Sequence, residues 1–367
     1  MIIMNDQQQG LPYSVRHYRE IDIVKGIGII CIVAGHVFPI TMLNQCLFSF
    51  HVPLFFLISG LTYRHYDNKQ VFYSNKFRRL IYPYLFFSLI SILLLWGMDK
   101  IIPMNTDTRI LPNIAGMLYG NSNSKYMTWN SPLWFLLCMF VSLAIMDLLE
   151  SVLRHTKREN SVSVRIVLVV ALWVIGILVN TQFSIYLPLH IESALFLTGF
   201  SELGYILSRY ILLDQDEHSR KSIHGSLVLC GCLGAIIGIV ASRFNGWTDV
   251  RTHLFGLFPV LLIVTSVAFS LTTAIASILI RKCRWLEYLG VHSIAILAMH
   301  KFPVMFFKML VPGAQELLNN SGSISGFLAG LVITALSLAA CLVCERILLA
   351  MFPWVLGVRG KKEAITQ

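Results

Sequence analysis

Long apolar runs separated by short polar segments make up most of this chain of 367 residues. Several runs reach the roughly 20 residues that an α-helix needs to cross the hydrocarbon core of a bilayer. The alternation of polar and apolar positions that is typical of membrane β-barrels is not seen. Because lipid offers no partners to backbone N–H and C=O groups, the pattern predicts an all-α, polytopic membrane helix bundle. Ten transmembrane spans are predicted, at approximately 22–41, 45–63, 80–98, 132–149, 164–180, 187–208, 225–242, 254–279, 289–310 and 325–351.

The positions of Lys and Arg predict the orientation of this bundle. Basic residues concentrate near both termini and in every second loop, whereas the alternate loops hold only Lys100, Arg109, Lys125, Arg243 and Arg251. Since cytoplasmic loops of membrane proteins carry an excess of Lys and Arg, both termini are predicted to be cytoplasmic. We therefore expect a cytoplasmic tail at 1–20, a single transmembrane domain at 21–352 and a second cytoplasmic tail at 353–367.

Composition agrees with this picture and disfavours other classes of protein. Hydrophobic residues make up 56% of the chain and charged residues 13%, and the formal net charge is +10. The basic residues fall in short loops between spans, so we expect membrane lipids and no nucleic acid as partners. Seven of the eight cysteines lie in apolar spans, and the CxxC of Cys341 and Cys344 has no histidine near it. We therefore expect neither disulfides nor a metal site.

Ionisable residues inside the predicted spans are the candidates for chemistry, since such residues are costly at membrane depth and are usually paired or functional. The predicted orientation places His36, His51, Glu192 and His300 in the outer half or near the middle of the membrane, which permits a shared cavity. Histidine suits general base catalysis, and a carboxylate can orient its ring. Glu192 is one candidate for that carboxylate, and Glu202 on the same span is its rival. The alternative is that each side chain only hydrogen-bonds a neighbouring helix.

The first predicted span carries polar groups at both of its ends. His36 lies about 21 Å along the helix from Asp22, at 1.5 Å per residue. Lys25 precedes His36 by about three turns, so the two side chains face similar directions at opposite depths. Side chains of this helix can therefore contact both ends of an elongated ligand.

Five basic residues lie at the predicted cytoplasmic side of the first and third spans: Arg19, Lys25, Lys76, Arg78 and Arg79. Such residues commonly set topology and contact lipid head groups. They also offer a phosphate-binding surface, because guanidinium and ammonium groups bind phosphate oxygens. The two uses are compatible.

The longest connection, between the third and fourth spans, is predicted to lie on the outer side and to form a partly ordered lid. Its aromatic residues Tyr126 and Trp129, with Trp134 just beyond, either stack on a sugar ring or lie at the membrane interface.

Several motifs together resemble the acyltransferase family 3 membrane proteins. They are the RxxD of Arg19 and Asp22, the spacing of Lys25 and His36, FHVPLFFLISG, KFRRLIYPY, PLWFL and the LGVHSIAILAMH that ends at His300. The amino-acid sequences of the first two spans are most similar to those of the fucose 4-O-acetylase-like branch, which contains sugar O-acetyltransferases.

The resemblance implies an acyltransferase of the bacterial inner membrane that moves an acyl group, usually acetyl from acetyl-CoA, to a hydroxyl of a surface glycan or its lipid-linked precursor. It implies that His36 is essential, together with Lys25, Arg19, Arg78 and Arg79. The alternatives are a proton-coupled carbohydrate or small-solute transporter and a non-catalytic subunit of a polysaccharide assembly machine. The acceptor sugar and the oligomeric state stay open.

Overall fold

The computed structural model describes residues 19–39, 41–101, 108–120, 130–183, 185–210, 224–310, 313–319 and 323–357. Tyr126, Trp129 and most of both predicted tails lie outside these ranges. Within them the chain is helical, and the predicted all-α class is confirmed. The main helices are α1 Arg19–Val37, α2 Met42–Leu61, α3 Lys69–Lys76, α4 Tyr82–Asp99, α5 Ile110–Tyr119, α6 Trp134–His155, α7 Val162–Leu178, α8 Ile191–Tyr210, α9 His224–Asn245, α10 Pro259–Ile280, α11 Arg284–Val291, α12 Ser293–Met299, α13 Lys301–Leu310, α14 Ala314–Asn319 and α15 Ile324–Met351.

The helices confirm a multi-pass membrane protein. Seven helical segments in the described part of the chain are long and apolar enough to cross a membrane, or eight if the bent pair α12–α13 is one span. One of them joins α3 to α4 through the π-helical turn Phe77–Ile81. Neither α1 nor α8 is among them, and both carry several charged residues. The count of ten spans therefore stays a prediction.

Helix α1 lies in the interior of the bundle. Its residues Ile23, Ile29 and Val33 are fully buried. A side chain at Gly26 would overlap the carbonyl of Leu286 in α11, and one at Gly290 in α11 would overlap that of Asp22. This close approach buries Asp22 near the start of α1 against α11, while Arg19 at the first position stays exposed.

Helices α2 and α8 also cross through small residues. A Cβ at Gly60 would overlap the Ser201 carbonyl, and a Cβ at Gly204 would overlap the Leu57 carbonyl. The hydroxyl oxygens of Ser59 and Ser201 lie 3.1 Å apart at this crossing. Tight contact between α2 and α8 sets the position of the helix that carries His51.

A buried ion-pair cluster joins α6, α7 and α8. The Arg165 guanidinium in α7 donates to Glu150 of α6 and to Glu202 of α8, both at 2.5 Å. It also lies 4.4 Å from the centre of the Tyr205 ring. Because an unpaired charge here would be costly, the cluster ties the three helices together. Glu202, the rival candidate for the catalytic carboxylate, is engaged in this cluster.

Candidate active site

A cavity of about 310 Å³ lies at the C-terminal end of α1. Its wall combines α1, α2, the start of α6, the segment 246–258 between α9 and α10, and the residues around the break between α12 and α13. The wall residues with ionisable side chains are His36, His51, Asp249, Arg251 and Lys301, and Trp247 lines the same wall.

The structure brings three of the sequence-predicted residues together: His36 and His51 line the cavity, and His300 contacts His36. The ring centres of His36 and His300 are 5.1 Å apart. Phe48 lies between His36 and His51, with ring-centre distances of 5.7 Å and 4.9 Å. Helices α1 and α2 and the break after α12 thus converge on one group of imidazoles.

Backbone carbonyls define which nitrogen of two of these rings is basic. Nδ1 of His51 lies 2.5 Å from the carbonyl oxygen of Leu47. Nδ1 of His300 lies 2.9 Å from that of Leu297. A carbonyl oxygen only accepts, so Nδ1 carries the proton and, in the neutral ring, Nε2 holds the lone pair. Nε2 of His300 is buried and has no hydrogen-bond partner among the described residues.

The backbone around His36 is held at the end of α1 by two side chains. The buried amide of Asn44 donates to the carbonyls of Gly35 at 2.7 Å and Phe38 at 3.0 Å. The Lys308 ammonium donates to the His36 carbonyl at 3.1 Å. No group in the described part of the chain hydrogen-bonds the His36 ring, so its nitrogens are available to a bound molecule.

Glu192, the other candidate carboxylate, contacts different histidines. Its Oε1 lies 3.4 Å from Nδ1 of His190 and 3.4 Å from Nε2 of His253. These contacts connect the start of α8 to the segment 246–258. Neither Glu192 nor Glu202 contacts His36 among the described interactions, so an orienting role for either towards His36 stays a prediction.

The segment 246–258 supplies cavity residues that sequence reasoning missed. Asp249 and Leu254 exchange backbone hydrogen bonds of 2.8 Å and 3.0 Å, and the Asp249 carboxylate pairs with Arg251 at 3.2 Å. The Ser193 hydroxyl donates to the Val250 carbonyl at 3.3 Å. From the sequence, Arg251 contributed only to the predicted orientation. The spacing of Asp249 and Arg251 close to Trp247, in a segment predicted to lie on the outer side, was the signal that could have pointed to the cavity.

The five basic residues predicted to bind phosphate lie away from the cavity wall. Lys25 pairs with Asp22 at 3.1 Å, and Lys76 lies 5.6 Å from the centre of the Phe72 ring. Arg78 and Arg79 belong to the π-helical turn before α4, and Arg79 is exposed, as is Arg19 at the start of α1. Their use as a phosphate-binding surface stays a prediction.

Comparison with known proteins adds one finding. A family model described as an acyltransferase domain matches residues 18–346, which include the whole cavity wall. No curated protein and no solved structure matches the chain.

Proposed function

We propose that this chain, which belongs to the acyltransferase family whose model it matches, moves an acetyl group from acetyl-CoA to a hydroxyl of a surface carbohydrate or its lipid-linked precursor. That the chain is a membrane acyltransferase follows from the family and the apolar helices. The donor, the acceptor, the sugar O-acetyltransferase branch and the bacterial inner membrane are our proposal. So are the ten spans and the cytoplasmic termini.

The observation that carries the proposal is the unbonded His36 ring at the wall of a cavity that His51 also lines, with the buried His300 ring in contact with His36. An acceptor hydroxyl must lose its proton as it attacks a thioester, and histidine is suited to accept that proton. The lone pair on Nε2 of His51, which lines the cavity, can accept a hydrogen bond from another hydroxyl of a sugar, and the His300 ring packs against His36. His36 is the general base in this scheme.

The donor would lie along α1. In this arrangement the phosphates of coenzyme A contact Arg19, Lys25, Lys76, Arg78 and Arg79, and the thioester reaches the level of His36. The Asp22–Lys25 ion pair opens when phosphate binds Lys25. The axial separation of about 21 Å between the two ends of α1 suits an elongated donor.

The test is acetyl transfer by purified protein from labelled acetyl-CoA to de-O-acetylated surface polysaccharide. We expect His36→Ala to lower transfer by about 10²-fold or more, the usual contribution of a general base. His155→Ala, which changes an exposed histidine at the end of α6, is the matched control and should keep wild-type activity. Full transfer by His36→Ala would contradict the proposal.

A further inference from the structure

We propose that Lys301 is a further catalytic residue, whose ammonium group stabilises the negative charge that develops on the carbonyl oxygen of the acyl donor. The inference rests on the proposed function, since it assigns a role in acyl transfer at the same cavity.

Lys301 is placed by the break in the chain after α12. Helices α12 and α13 meet at an angle of 53°, with His300 at the bend and Lys301 as the first residue of α13. The side chain lines the same cavity as His36 and His51. Along the described chain, no carboxylate pairs with it. An ammonium group at membrane depth without a counter-ion is costly, which points to a role towards a bound group.

The other charged or amide donors at the wall are already engaged. The Asn44 amide is bonded to the carbonyls of Gly35 and Phe38. The Arg251 guanidinium is paired with Asp249.

The neighbouring histidines do not offer a donor either. Nε2 of His51 and of His300 holds a lone pair in the neutral ring, because Nδ1 of each contacts a backbone carbonyl. Lys308, which lies on α13 with Lys301, donates to the His36 carbonyl. Among the described cavity residues, Lys301 is thus the cation that is free to meet a developing anion.

The reaction explains why such a cation is needed. The acceptor oxygen bonds to the thioester carbon as its proton passes to His36, and the carbonyl π electrons move to the carbonyl oxygen, which becomes an oxyanion beside Lys301. When the carbonyl re-forms, the C–S bond breaks and the coenzyme A thiolate takes the proton back from His36. A positioned donor for an oxyanion contributes mainly to kcat, because the charge exists only in the transition state and the intermediate.

The test compares Lys301→Met, Lys301→Gln and Lys301→Arg with wild type in the same transfer assay. We expect both neutral variants to lower kcat by about 10²- to 10³-fold, as removal of an oxyanion donor does elsewhere, while KM for acetyl-CoA changes less than about threefold. Lys301→Arg keeps the charge and should retain more activity than either neutral variant. Lys282→Met, at an exposed lysine after α10, is the control and should match wild type.

Size-exclusion profiles and acetyl-CoA binding by calorimetry show whether each variant is folded, and a purely structural role would change these together with kcat. Neutral variants with wild-type kcat, or with a loss confined to KM, would overturn the role of Lys301 and leave the proposed function intact. A wild-type protein that transfers no acetyl group would overturn both.

Discussion

At the scale of single residues, the position of His36 depends on groups that carry no chemistry of their own. Asn44 and Lys308 donate to the carbonyls of Gly35 and His36 at the end of α1 and of Phe38 just after it, where a helix leaves its C=O groups without partners inside the helix. Because these bonds come from α2 and α13, the end of α1 is held by the helices that also carry His51 and Lys301. The same contacts therefore satisfy the backbone and fix the spacing of the reactive groups.

We expect Asn44→Leu to lower kcat by about 10-fold or more, since small displacements of a catalytic group are costly. It should also reduce stability by about 1–3 kcal/mol, because two buried carbonyls lose a donor. Asn180→Leu is the matched control: Asn180 donates to the carbonyls of Gly176 and Glu192 but does not line the cavity. Thermal unfolding should show similar losses of stability for the two variants, whereas kinetic measurements should show a lower kcat for Asn44→Leu alone. Equal kcat values would contradict the positioning role.

At the scale of elements, close helix contacts determine where the polar side chains meet. The crossing of α2 with α8 at Gly60 and Gly204 leaves no space for a Cβ on either helix. At Gly26 and Gly290, where α1 contacts α11, there is likewise no space for a Cβ on either helix. In a membrane, where apolar side chains gain little by leaving lipid, such close packing is a main source of helix association.

Gly60→Ala tests this contact, because the added methyl group must displace the backbone at Ser201. We expect a loss of about 1–3 kcal/mol from overpacking, measured as a lower unfolding temperature in detergent. Gly97→Ala in α4, where a Cβ has no neighbour within 4 Å, is the control. It should be neutral or stabilising by up to about 1 kcal/mol, because alanine is the better helix former. A Gly60→Ala protein as stable as wild type would show that α2 and α8 can separate without cost.

At the scale of the whole molecule, the described contacts sort the polar groups into two layers. The Arg165 cluster and the Asp22–Lys25 pair lie on helix segments that the charge distribution assigns to the cytoplasmic side. His36 lies at the opposite end of α1 from Asp22, and the segment 246–258 contacts the start of α8 through Ser193, whereas Glu202 lies further along that helix. The proposed route of the donor, from phosphate contacts at one face to the thioester near His36, depends on this separation.

The orientation can be tested by adding one cysteine at a time and labelling it with a membrane-impermeant maleimide. We expect Leu257→Cys, at an exposed position predicted to lie on the outer side, to be labelled in spheroplasts, and Lys157→Cys, between α6 and α7, to be labelled only after lysis. Wild-type protein, which retains its eight cysteines, gives the background. Labelling of Lys157→Cys in intact spheroplasts would overturn the prediction that the termini are cytoplasmic.

The sequence by itself determined the all-α membrane class, because backbone polar groups in lipid must be satisfied within helices. It also singled out His36, His51 and His300 as candidates for chemistry, because ionisable residues are rare in apolar runs. Only the tertiary structure decided which partners the two carboxylates have: Glu192 meets His190 and His253, and Glu202 meets Arg165. It also brings Asp249 and Arg251 to the cavity from a loop. A sequence indicates how deep a residue lies along its helix. The neighbours of that residue depend on how the helices rotate and pack against one another, which contacts distant in the chain establish.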